Sequence, residues 1–357
     1  MSTPDILSGL TAVLAFVFAI ALFDQWRQRR RAFQLIWAAG ILFYGIGAGC
    51  AAIGGATGWT EPLYRSWYLN GALWTASWLG LGTAFLLGRT RFGYAYAAVV
   101  LLAGLASFFS RNRPDYVNSG VWPLVYLFAA VVLALAIAFE TYFQDARWPY
   151  VAAIGVIGAT LLSIAMMIVT PLGSPGYALD PTTGSPVASA IIPGYLRLLT
   201  PFLNIAGGLS LILGALFSAY VFMPKRRVLD YSLDPAQPGD HFLFNLAIAL
   251  PAMAVNFVAS LPMALRALLA GRLHSRVPST LLIAVGAFIP AATDELLVRV
   301  GFKDLFEAGK LLGVILMFAG FLISSETFRE VRIPFTSIRL WAARAEPAGE
   351  PAADAEA

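Results

Sequence analysis

The chain is predicted to be an all-α integral membrane protein, a polytopic helix bundle of about nine transmembrane helices with a cytoplasmic helical segment inserted after the seventh. Three observations predict it. Hydrophobic residues make up 59% of its 357 positions and charged residues only 12%, where a soluble domain carries roughly 25% charge. Mean hydropathy is +0.74. Apolar runs recur at close to the roughly 20 residues needed to cross a bilayer.

Seven of these runs lie near 6–24, 33–55, 66–88, 92–110, 121–143, 149–170 and 197–223. The first follows Asp5 with no basic residue before it and no small-residue cleavage site behind it, so it is expected to stay as helix one. Loop charges then orient the bundle. Arg27, Arg29, Arg30, Arg31, Arg89, Arg91, Arg147, Lys225, Arg226 and Arg227 fall on one side, ten in all, against Arg65, Arg111, Arg113 and Arg197 on the other. The positive-inside rule places the N-terminus outside and the Lys225–Arg227 segment in the cytoplasm. The exterior receives PLGSPGYALDPTTGSPVASAIIPG, whose prolines and glycines suit irregular structure.

Beyond Arg227 the pattern changes. Residues 243–261 are long enough to span but carry Pro251, Asn245 and Asn256, and a crossing there would put Arg266, Arg272, Arg276, Arg329, Arg332 and Arg339 outside. An interfacial or re-entrant pair of helices, bent at Pro251 and Pro262, avoids that conflict. Two spans follow near 277–297 and 308–327. The expected units are therefore 1–228, a seven-helix bundle; 229–276, the cytoplasmic segment; 277–340, a two-helix hairpin with its cytoplasmic end; and 341–357, a disordered alanine-, proline- and acid-rich tail.

The segment WYLNGALWTASWLG at 67–80 is the most informative within the bundle. At 100° per residue Trp67, Trp74 and Trp78 share one stripe, with Trp74 about 10 Å and Trp78 about 16 Å below Trp67. Only Trp67, with Tyr64 and Tyr68, sits where an interfacial aromatic belt belongs. Trp78 lies near the midplane, where its indole N–H needs a protein partner. Asn70 on the third helix and Asn204 on the seventh lie at matched depth. They are expected either to hydrogen-bond across helices or, with Trp74 and Trp78, to bind a small apolar ligand in a pocket opening outward. Gly45 and Gly49, and Ala206, Ser210, Gly214 and Ser218, recur at four-residue spacing and let backbones approach.

Charge within the spans is costly and therefore worth locating. Glu140 is read as reaching the cytoplasmic interface beside Arg147. Asp294, Glu295, Glu307 and Lys310 are read as a solvated cap with Arg299 and Lys303, and Glu326, Arg329 and Glu330 as a local pairing on a helix end.

Several chemistries find no support. Seven helices with an outside N-terminus invite comparison with retinal proteins, and YRSWYLNGALW resembles a rhodopsin third helix, but residues 195–222 hold no lysine for a Schiff base. His241 and His274 are the only histidines and lie in the cytoplasmic stretch, so paired haem ligation is excluded. HExxH, GxSxG and Walker motifs are absent, and no cofactor or metal is expected. Scattered arginines argue against nucleic acid. Arginine outnumbers lysine seven to one, pointing to a GC-rich bacterial genome and hence an inner (plasma) membrane location. The single cysteine, Cys50, is read as packing.

The expected function is that of a non-enzymatic multi-pass sensor or accessory protein, binding an apolar ligand, lipid or membrane-protein partner, with homo-oligomer formation open. The alternative is a secondary transporter, in which the interrupted segment near 243–262 is a broken helix beside a substrate path. A lipid-modifying enzyme using isolated carboxylates is the least favoured reading.

Overall fold

The computed structural model describes residues 2–116, 118–143, 146–172, 177–179, 186–231, 239–297, 303–323, 330–332 and 339–342. Helix α1 (Thr3–Arg29) opens on a capping box in which the Ser2 backbone N–H and hydroxyl both donate to Asp5 Oδ2 at 2.7 Å. It closes at Arg30 in the left-handed region, φ 53°. That turn returns the chain within two residues into α2 (Ala32–Thr57). The pair is antiparallel and close: a Cβ on Gly45 would sit 3.2 Å from Ala15 and Phe16.

The third passage is one helical rod of three parts, α3 (Glu61–Trp67), a π-helical segment (Tyr68–Trp74) and α4 (Thr75–Leu86). The wide π turn is served locally, since Thr75 Oγ1 donates to the Asn70 carbonyl five residues back at 2.8 Å. It falls where α2 crosses, and a Cβ on Gly47 would meet Gly71 Cα at 2.8 Å. The remaining elements are α5 (Phe92–Ser110), a 3₁₀ turn (Pro114–Tyr116), α6 (Trp122–Tyr142), α7 (Trp148–Val169), the short α8 (Ala188–Ile191) and α9 (Gly194–Arg197), α10 (Leu199–Phe222), α11 (Gly239–Leu269), α12 (Arg276–Leu297) and α13 (Lys303–Ile323). Two short antiparallel strands, β1 (Glu330–Arg332) and β2 (Arg339–Ala342), end the described chain. Glu330 thus lies in a strand rather than at the end of a helix; Glu326, Arg329, Asp294, Glu295, Arg299 and Lys303 have no described side-chain placement.

Side-chain contacts give the relative directions of several helices. Trp74 meets Ser163 and Trp78 meets Thr160, so α7 runs against α4. Tyr68 meets Thr200 and Gly80 faces Gly207, so α10 runs with it. Ser279 reaches the Gly320 carbonyl while Gly309 faces Thr293, making α12 and α13 antiparallel. Ser8 reaches Glu307 and Phe18 stacks on Phe318 at 4.7 Å, so α13 is parallel to α1. The end holding the N-terminus is called outer below, following the charge rule.

Nine helices among the described residues are long and apolar enough to cross a membrane, and the protein is a multi-pass membrane protein. Their outward surface agrees: Phe128, Ile154 and Ile168 on α6 and α7 are 72–75% exposed, as lipid-facing side chains are. These nine differ in one member from the nine expected. Length and composition leave out the rod from Glu61 to Leu86, which the π segment divides, and admit Ala247–Leu269. The expected pair of helices bent at Pro251 and Pro262 is instead a single 31-residue helix, α11, with both prolines inside it.

The hairpin α12–α13 packs against the preceding helices. One apolar cluster joins Phe18, Leu22, Trp37 and Ile41 to Leu79, Leu211, Ile283, Val314, Met317 and Phe321, running across the expected boundary at 228.

Candidate functional site

The four residues singled out from the sequence separate into three settings. Trp74 and Trp78, one turn apart on the rod, both face α7. The Trp74 indole N–H donates to Ser163 Oγ at 2.9 Å and that of Trp78 to Thr160 Oγ1 at 3.1 Å. On their other side both rings meet the edge of Phe43 from α2, at 5.2 and 5.6 Å between centroids. Each indole is a bridge between α2 and α7 with its single donor satisfied. Asn70 is buried and turns back on its own helix, its amide donating to the Ser66 carbonyl at 2.9 Å. Asn204 is half-buried and makes no hydrogen bond among the described residues. No bond joins the two asparagines among those residues.

Trp67 leaves the expected stripe. The stripe assumes 3.6 residues per turn, and the π segment between Trp67 and Trp74 closes i to i+5, which rotates the two apart. Trp67 packs instead with Trp59 at 6.0 Å, Tyr64 at 5.6 Å and Tyr68 at 6.3 Å.

That aromatic group is part of a larger polar-lined cluster at the outer end. The Tyr68 hydroxyl shares a 2.8 Å hydrogen bond with Thr200 Oγ1, and the Arg197 side chain lies near it. Arg197 in turn lies over the Tyr116 ring at 4.8 Å. Tyr126 OH donates to the Tyr195 carbonyl at 2.9 Å, and Tyr195 OH bonds Thr170 Oγ1 at 2.5 Å. The four-residue helix α9, just before α10, delivers Tyr195 and Arg197 to this place. Two members stay unsatisfied among the described residues: the Tyr64 hydroxyl and the Trp59 indole N–H are buried with no hydrogen-bond partner there. Tyr64 is fully buried and Trp59 is 7% exposed, their rings edge to face at 6.2 Å. Orphaned buried donors cost about 1–3 kcal/mol each and call for an explanation. Asn204 lies one turn below Thr200 on the same face of α10.

A second polar group was read from the sequence as solvated and is not. Glu307 is 5% exposed and ties three helices together. Its Oε2 accepts from Ser8 of α1 at 2.5 Å and its Oε1 pairs with Lys310 Nζ at 2.6 Å. Tyr44 of α2 donates to the Lys310 carbonyl at 3.0 Å. The physical reason for the difference is that α1 covers this turn of α13, supplying Ser8 from 299 positions away. Both carboxylate oxygens are engaged, so this group is closed where the tyrosine cluster is open. Among the described residues no three His, Cys, Asp or Glu side chains gather as a metal site would require.

Comparison with protein-family models, with curated proteins and with solved structures finds no match for this chain.

Proposed function

We propose that this is a non-enzymatic multi-pass membrane protein, a sensor or accessory protein of a bacterial inner membrane, that binds a small, mostly apolar molecule at the outer end of its seven-helix part. The observation that carries the reading is the pair of buried polar atoms on Tyr64 and Trp59, unpartnered among the described residues, inside an aromatic cluster. An aromatic wall with a few convergent polar groups is the usual make-up of a small-molecule site, and Tyr64 OH and Trp59 N–H both offer a proton to a carbonyl or hydroxyl on the ligand. Asn204, one turn below Thr200 on α10, is proposed as a third polar contact. Trp74 and Trp78 hold the wall in place through α7 without facing a ligand through their N–H groups.

The test is thermal unfolding of the purified protein with and without extracted native lipid. Wild type is expected to shift upward with the extract, and Tyr64→Phe, which keeps the ring and removes the hydroxyl, is expected to lose most of that shift. An equal shift in both proteins would overturn the reading.

Glu307 and Lys310 favour a second reading, secondary transport, because ionisable groups within spans mark ion and substrate paths. The saturation of Glu307 by Ser8 and Lys310 supports a structural tie instead. Proton- or cation-driven uptake into vesicles that Glu307→Gln abolishes would favour transport.

A further inference from the structure

We infer that α11 does not cross the bilayer but lies within its inner leaflet, with acyl chains on its outward face and anionic phospholipid headgroups on its arginines. The inference is independent of any ligand at the outer end. Parity comes first. The last turn of α10 and the first turn of α12 sit side by side, with Phe222 stacked on His274 at 5.0 Å and Arg276 over Phe222 at 4.2 Å. The chain between them therefore starts and finishes at the inner end.

The middle of α11 is held at that same end. Asn256 Oδ1 accepts from the backbone N–H groups of Val228 and Leu229 at 2.7 and 3.0 Å, and its amide donates to the Leu229 carbonyl at 2.8 Å. Ser260 Oγ accepts from the Arg226 N–H at 2.8 Å. Met253, Phe257 and Ala264, spread over about 16 Å of helix, all belong to one apolar cluster with Ala219, Tyr220, Met223 and Val277. A helix running beside α10 would instead meet successively deeper turns of it.

The two faces of α11 then differ in kind. Ala252, Asn256, Ser260 and Ala264 recur every fourth residue and are buried against the bundle. On the opposite side Val255, Val258, Leu261, Leu265 and Leu269 are 40–81% exposed, and Pro251 and Pro262 are exposed among them. Apart from Arg266 at one edge, that face carries no polar side chain over about 27 Å, which is why composition alone admits the segment as a span. Water is excluded as its solvent by the area left bare, and lipid is the solvent at hand. Arg266 and Arg272 are exposed along the same helix end, and Lys225, Arg226 and Arg227 are exposed beside it. Basic groups at the cytoplasmic surface attract anionic headgroups, and arginine stems can lie along the apolar face while the guanidinium reaches the headgroup level.

The test uses the full-length protein in a Cys50→Ala background. Asp230→Cys and Ser275→Cys, which flank α11, are expected to react with an impermeant thiol reagent only after cell lysis; labelling of either one in intact cells means that α11 crosses and overturns the inference. Fluorophores on Val258→Cys and Leu265→Cys, in protein reconstituted with equal parts phosphatidylcholine and phosphatidylglycerol, are expected to be quenched by brominated acyl chains and shielded from iodide. Quenching by iodide, or protection from both quenchers with a cross-linked dimer, would overturn the lipid contact in favour of water or a second copy. For the headgroup, a fluorophore on Leu268→Cys is expected to be quenched more by brominated phosphatidylglycerol than by brominated phosphatidylcholine. Removing the charges with Arg266→Gln and Arg272→Gln is expected to lower that preference, by about fivefold for each arginine if each supplies the usual surface attraction. A preference that survives both substitutions, or none in the unsubstituted protein, would remove anionic lipid from the proposal.

Discussion

The outer tyrosine cluster and the α1–α13 seam are two polar interiors of one bundle, and they are finished differently. At the seam every group has a match: one Glu307 oxygen for Ser8, the other for Lys310, and the Lys310 carbonyl for Tyr44. In the cluster Tyr68, Tyr126 and Tyr195 are matched while, among the described residues, Tyr64 and Trp59 are left with open donors. Low-dielectric surroundings make a completed network rigid and an incomplete one costly. A closed network is therefore expected to report on stability, and an open one on binding.

The sharpest way to break the comparison is at the seam. Glu307→Gln leaves the largely covered Lys310 with no counter-charge and is expected to destabilise by up to about 3–5 kcal/mol, measured by denaturation in detergent. Replacing the lysine as well, by Lys310→Met, should recover most of the loss. If Glu307→Gln is neutral, the seam is not the closed network the geometry describes.

Trp74→Ala comes next, because it empties a site between Phe43 and Ser163. A cavity cost of about 3–5 kcal/mol is expected for a buried aromatic, somewhat less here because the ring is only half-buried. Calorimetry without added lipid checks it, and the loss should be the same with lipid extract present. Dependence of the loss on extract would move the ligand towards Trp74.

Smaller effects are expected where only a hydrogen bond is removed. Ser163→Ala and Thr160→Val each strip one indole of its acceptor, and about 0.6–2 kcal/mol is expected for interhelical bonds of this kind. Urea or detergent denaturation of the two variants and their double should give nearly additive losses, since each hydroxyl serves a different tryptophan.

The smallest expected effect sharpens the comparison most. Tyr64→Phe removes an unsatisfied hydroxyl, so in lipid-free detergent its stability should match wild type within about 0.5 kcal/mol or exceed it. A loss of 1 kcal/mol or more, read from unfolding midpoints, would show that the hydroxyl already has a partner and would close the open cluster.

Part of this was legible in the chain. Helical spans, their order and the small residues that allow close approach follow from composition and period, and Gly45 does meet Ala15 where the spacing allows. The need of Trp78 for a protein partner follows from depth alone, and Thr160 meets it. The identity of that partner does not follow, because periodicity assigns residues to faces within one helix and says nothing about which helix lies opposite. The π segment was hidden for a related reason: its geometry depends on how α2 crosses at Gly47 and Gly71, a contact between two helices. Tyr195 is not singled out by the sequence, and Arg197 is read only as an outer-side charge, because their shared helix α9 is four residues long and carries no apolar period of its own.

By itself, the sequence determined that the solvent is lipid and where the chain has to be helical, since an apolar run of this length can satisfy its backbone only internally. Tertiary structure alone decided which polar groups are finished and which are open. Burial of Glu307 is settled by Ser8 of α1, and the placing of α11 at one end by Asn256 against the Val228–Leu229 backbone. Both depend on groups far apart in sequence or on the direction of neighbouring helices, and a local pattern contains neither.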